Sequence, residues 1–143
     1  MDLRKRPISE IMRREVVTLT AREKLDLTQD LMNLGRVRHL PVVDEDQRVV
    51  GIVSDRDLLA AALTNVLDFD PVSRRTFLRS IDVAEVMTKD VVSVTPNTSI
   101  GEVAHMMVDR KIGCVPVVDA DGGLLGLVTE TDLISAAYLK SGG

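Results

Sequence analysis

The sequence predicts an α+β fold made of two βαββα repeats packed about a pseudo-twofold axis. Three observations predict it. The chain comes into register with itself, without a gap, when it is slid by 75 positions. Each copy then runs through the same order of β-branched, helical and turn segments. Finally, the 143 residues are 45% hydrophobic, which suits one average domain or two very small ones that must share a core.

The register is specific. Met12 falls on Met87, Val16-Val17 on Val91-Val92, Thr20 on Thr95 and Met32 on Met107. Pro41-Val42-Val43-Asp44 falls on Pro116-Val117-Val118-Asp119, Gly51 on Gly126, Val53 on Val128, and Asp57-Leu58 on Asp132-Leu133. Self-similarity at one fixed offset marks a duplicated supersecondary unit. The predicted organisation is an N-terminal tail 1–7, a first repeat 8–63, a connector 64–82, a second repeat 83–140 and a C-terminal tail 141–143.

Each repeat opens with a β-branched run, Val16–Leu19 or Val91–Val94, read as a strand. A helix follows. It is clearest in the second copy, where Ile100, Val103, Ala104 and Met107 recur at helical spacing and Ser99 and Glu102 have the spacing of a capping box. In the first copy Thr28 and Gln29 replace Val103 and Ala104. Next comes a hairpin, with strands His39–Val43 and Val49–Val53, or Cys114–Val118 and Leu124–Val128, around an Asp-rich turn. A last helix should bury Leu58, Leu59, Ala62 and Val66 in the first copy, and Leu133, Ile134 and Ala137 in the second. The connector, with Asp68, Asp70, Pro71, Ser73 and the basic Arg74, Arg75 and Arg79, reads as solvated, with a short helix near Phe77.

A three-stranded unit of this size does not bury both faces alone. Two copies should therefore pack together and leave paired clefts, where small ligands usually bind.

Composition narrows the function. Eighteen basic and 22 acidic residues give a net charge of −4, which argues against general nucleic-acid or membrane-surface binding. Charges interrupt Met1 to Arg14, so no signal peptide is expected, and no apolar run approaches the ~20 residues that span a bilayer. A single cysteine, Cys114, needs no oxidising compartment. A cytoplasmic protein is the expectation. Cys114 should be a small buried hydrophobe and His105 a solvated helical residue; neither has partners spaced for a metal site or a nucleophile–base pair, so no enzyme is expected.

The strongest candidate site is the passage from the last strand into the last helix of each copy. It reads Gly51-Ile52-Val53-Ser54-Asp55-Arg56-Asp57 and Gly126-Leu127-Val128-Thr129-Glu130-Thr131-Asp132. One reading is structural: Ser54 and Thr129 as N-caps, Asp57 and Asp132 closing the box, and the glycines marking a bulge or close packing. The other is ligand binding. A carboxylate beside a hydroxyl can accept two hydrogen bonds from a ribose diol, a glycine lets a flat base approach, and free helix N–H groups suit phosphate. Arg38, His39 and Arg56 supply cations in the first copy. Gly113, Cys114 and Thr131 stand at those places in the second, so the two sites should differ toward phosphate.

The repeated pattern of Met, Val-Val, Pro-Val-Val-Asp and Gly-x-Val-(Ser/Thr)-x-x-Asp resembles the cystathionine β-synthase (CBS) domain, here in the tandem pair called a Bateman module. The resemblance covers Ile8 to Ala62 and Val83 to Ala137. It implies a non-catalytic regulatory module, no required cofactor, and a regulatory ligand such as AMP, ADP, ATP, S-adenosylmethionine or NAD. It also implies that Asp57 and Asp132 hold ribose, that Ser54 and Thr129, joined by Thr131, contact ribose or phosphate, and that Arg38 and His39 hold phosphate. A homodimer signalling to a separate regulated protein is expected. Two other readings stay open: a ligand-free structural or oligomerisation module, and a nucleic-acid binder using Arg74, Arg75 and Arg79.

Overall fold

The computed structural model describes residues 2–65 and 70–139. Val66, Asp68, Phe69 and the tail 141–143 lie outside the described residues. The chain divides into two compact units whose boundaries cut across the sequence repeat: residues 17–91 form the first, and residues 1–16 with 92–143 form the second. Each unit therefore contains the leading segment of the opposite copy.

In the first unit, helix α1 (Leu25–Gly35) buries Leu25, Thr28 and Met32. Thr28 is fully buried, and its hydroxyl donates to the Lys24 carbonyl at 3.0 Å, so a polar side chain at the place of Val103 is satisfied within the helix. The helix ends on Arg36 in the left-handed conformation, φ 53°. Strands β1 (His39–Val43) and β2 (Val49–Ser54) form an antiparallel hairpin with a bulge at Val42/Val43. Its turn closes on Asp44, whose Oδ1 accepts from the amides of Asp46 and Arg48.

Helix α2 (Asp55–Asn65) buries Leu58 and Ala62, whereas Leu59 is exposed. Helix α3 (Pro71–Arg79), started by a proline in its first turn, follows. It lies along α1, where Arg75 makes a two-pronged contact with Asp30 (2.8 and 3.1 Å) and Arg79 reaches Asp26. These two arginines are engaged in ion pairs rather than free in solvent. The unit closes with a 3₁₀ turn (Val83–Glu85), after which Thr88 exchanges backbone hydrogen bonds with Ile52. Its core includes Leu19, Leu25, Leu40, Val42, Val53, Leu58 and Val83.

The second unit repeats this plan with α4 (Ile100–Arg110), β3 (Cys114–Val118), β4 (Leu124–Thr129) and α5 (Glu130–Ile134). Ser99 Oγ accepts from the Glu102 amide at the start of α4. The leading segment is ordered here: the Ile8 amide donates to the Thr98 carbonyl, the Ile100 amide to the Arg6 carbonyl, and Arg13 pairs through both backbone groups with Leu127. Ile8 and Met12 enter a core with Val103, Met107, Val115, Val117 and Val128.

The fold is thus two βαββα-like repeats, and besides the exposed Leu59 it departs from the sequence expectation in its β-branched runs and in its last helix. The β-branched runs contribute only single parallel bridges, Leu19 to Val42 and Val94 to Val117. Leu19 lies on one hairpin edge between the Pro41 carbonyl and the Val43 amide, and the neighbouring Val17 is exposed. The last helix of the second copy widens into a π-turn over Ser135–Leu139, which rotates Ala136 inward and leaves Ile134 and Ala137 outside. Of the two readings of Gly51 and Gly126 the structure takes close packing, because Met87 with Thr88 and Met12 with Arg13 fill the positions their side chains would take.

Candidate ligand-binding site

Both strand–helix junctions are reciprocal capping boxes. In the first unit the Ser54 amide donates to Asp57 Oδ2 at 2.8 Å, and the Asp57 amide donates to Ser54 Oγ at 3.1 Å. In the second, the Thr129 amide and hydroxyl both donate to Asp132 Oδ2, at 2.8 and 3.0 Å, and the Asp132 amide returns to Thr129 Oγ1 at 3.4 Å. The pairing satisfies free amides at the helix starts and holds each carboxylate where the helix dipole favours it. The caps are real, and each aspartate is fixed in place by them.

The hairpin register brings the upstream residues to the same junction. His39 is the cross-strand partner of Ser54, and the Arg38 carbonyl accepts from the Asp55 amide at 2.9 Å. In the second unit Cys114 pairs with Thr129, and the Gly113 carbonyl accepts from Glu130. Arg38, His39, Ser54 and Asp57 therefore cluster on one junction. Arg38 also lines an open groove of about 420 Å³ with Asp55 and the C-terminal end of α1, including Asn33 and Arg36. Arg56 and Thr131 are exposed on the first turns of α2 and α5.

One residue at the second junction escaped the sequence reading. Arg13 Nε donates to Asp132 Oδ1 at 2.9 Å, so a cation stands where Gly113 and Cys114 offered none. The Asp132 side chain is 10% exposed and that of Arg13 54%. The match of Met12 with Met87 flagged this segment, but nothing in the sequence said that it lies beside the opposite copy. At the first junction the 75-residue offset puts Thr88 at the place of Arg13, and among the described residues Asp57 Oδ1 has no partner.

No group of three metal-ligating side chains occurs among the described residues. Burial pushes the Cys114 thiol up to about 12, which suits a core residue and not a nucleophile. No described helix is long and apolar enough to cross a membrane.

A family model for the CBS domain matches residues 8–64 and 83–138. The chain belongs to the CBS-domain family. It is 31% identical over 127 residues to a CBS domain-containing protein of Dictyostelium discoideum, covering 89% of this chain and 88% of that one. Several other curated relatives are longer, and the CBS pair here spans only 22–24% of their length. Among solved structures it is similar to CBSX2 in complex with AMP (TM-score 0.79, 27% identity, 95% of this chain and 98% of that chain). It is also similar to the CBS domain pair of protein MJ0100 in complex with 5′-methylthioadenosine and S-adenosyl-L-methionine (TM-score 0.74, 26% identity, 92% and 98%). Tandem CBS pairs of this kind are regulatory modules without catalytic machinery of their own.

Proposed function

We propose that this CBS pair is a sensor of an adenosine-containing ligand, held at the Ser54–Asp57 and Thr129–Asp132 junctions, whose occupancy is passed to a partner protein. The observation that carries the reading is the repeated box. Two carboxylates, Asp57 held by the Ser54 amide and Asp132 by the Thr129 amide and hydroxyl, occupy equivalent places at the helix starts, where carboxylate oxygens can accept from a ribose diol. The ligands of the two similar CBS pairs, AMP in one and 5′-methylthioadenosine with S-adenosylmethionine in the other, share that adenosyl group and support the class.

In the first unit Arg38, His39 and Arg56 are the phosphate-facing cations, with Thr131 contributing a hydroxyl in the second. With three aromatic residues in the whole chain, the base is held by aliphatic side chains. The exposed Leu59 and Leu63 on α2, and Ile134 and Tyr138 at their 75-residue equivalents, are apolar surface suited to a homodimer contact.

The test is thermal stability with millimolar AMP, ADP, ATP, S-adenosylmethionine, 5′-methylthioadenosine and NAD, together with the ultraviolet spectrum of the purified protein. A ligand at 100 times its Kd stabilises a fold by ~2.7 kcal/mol. With no tryptophan in the chain, a retained nucleotide stands out at 260 nm. Asp57→Ala should weaken binding at the first junction by ~1.5–3 kcal/mol. No shift with any ligand and a clean spectrum would leave the boxes as helix caps only, and the protein as a structural module.

A further inference from the structure

We propose that Arg13 makes the Asp132 site selective for adenosyl ligands that carry a negative charge beyond the ribose, a phosphate ester above all. This rests on the adenosyl reading of the junctions and adds a specificity determinant to one of them. At the second junction every oxygen of the carboxylate is already engaged: Oδ2 by the Thr129 amide and hydroxyl, Oδ1 by Arg13 Nε. A ribose hydroxyl that approaches Asp132 must share or take over the Oδ1 contact, loosening the ion pair. A neutral ligand gives the guanidinium nothing in return. A phosphate does, because guanidinium donors match phosphate oxygens in a two-pronged, charge-assisted contact.

The geometry leaves those donors available. Only Nε of Arg13 is engaged among the described residues, the side chain is half-exposed, and its backbone is held on both sides by Leu127. Arg13 is thus anchored at its root and open at its tip. Among the described residues the first junction lacks the device, since Thr88 occupies the equivalent position and no ion pair forms at Asp57 Oδ1. The duplication has therefore produced two like ribose acceptors, only one of which has a guanidinium built onto the carboxylate.

The experiment is calorimetric titration of the full chain with AMP and with adenosine. An Asp57→Asn background weakens the first site while keeping an acceptor for the Ser54 amide. AMP should bind the remaining site at least tenfold more tightly than adenosine. Adding Arg13→Thr, which copies the first junction, should bring that ratio close to one by weakening AMP and leaving adenosine unchanged or tighter. Arg13→Lys should keep part of the preference. A merely structural role for Arg13 would lower both affinities alike, so an unchanged ratio overturns the proposal. Loss of all binding on Asp57→Asn, with the wild-type protein still binding, overturns it too. If the wild-type chain binds neither compound, the adenosyl reading itself fails and the proposal falls with it.

Discussion

Gly126 lies against Met12 so closely that a Cβ there would stand 2.8 Å from the methionine sulfur and 2.8 Å from the Arg13 carbonyl oxygen. Gly51 has the same relation to Met87, at 2.5 Å from the sulfur and 3.2 Å from the Thr88 carbonyl. The glycine of the repeated motif thus admits the leading segment of the other copy. Gly126→Ala should cost about 1–3 kcal/mol, the usual range for overpacking. Because a backbone oxygen is among the atoms struck, Met12→Ala should not rescue it. Gly51→Ala strikes chiefly the flexible side chain, and Met87→Ala should recover much of the loss. Denaturant midpoints of the four single and two double variants decide the matter.

Ile8 and Val83, 75 residues apart, are both fully buried. Ile8→Ala should cost about 2–5 kcal/mol, as buried aliphatic truncations do. A larger consequence follows for fragments. Severing the chain between residues 65 and 70 leaves a first half without Val83 and a second half without Ile8 and Met12. Neither half should show a cooperative melt alone, and mixing them should restore one. A first half that melts cooperatively on its own would contradict the assignment of 83–91 to its core.

The contact of α3 with α1 should loosen in acid. The Arg75 guanidinium, bonded to Asp30, holds that carboxyl below its usual range, and Asp30 in turn raises Arg75, which stays charged throughout. A depressed carboxylate stabilises the fold above its ordinary titration range, and this contribution disappears as pH falls through the lowered value. Glu10, held down by Arg6, has the same sign in the second unit. Protection factors of the amides across Pro71–Arg79, taken relative to intrinsic exchange at each pH, should therefore fall as Asp30 protonates, and molar salt should produce a weaker version of the effect at neutral pH. Arg75→Gln should return the Asp30 titration, followed by carboxyl carbon shifts, to the ordinary range.

Much of this was legible in the residues. The offset that places Asp57 on Asp132 also defined two hairpins, and the Ser/Thr-x-x-Asp spacing named both capping boxes, because caps depend on neighbours three residues away. What lay beyond reading depends on residues far apart in the chain. The apolar pattern around Ile8 and Met12 marks a buried face without saying which core receives it, and this hid both the exchange of leading segments and the approach of Arg13 to Asp132. Val16 to Leu19 has strand-like composition, yet among the described residues of that run Leu19 alone bridges to the β1 edge, because a ladder depends on how far a partner strand runs alongside and not on composition. The π-turn at Ser135–Leu139 shifts the apolar face by one residue, from Ala137 to Ala136, which a fixed helical period does not foresee.

The passage of the chain from one unit to the other at residues 16/17 and again at 91/92 bears on ancestry. A polypeptide carrying one copy has a leading segment to give and a glycine-lined hairpin waiting to receive one. In the arrangement seen here that segment fills the hairpin of the other copy, so a chain carrying one copy in this arrangement would need a second molecule to fill its own. Within this chain the two copies complete each other, and the loss of either would leave the other's hairpin unfilled.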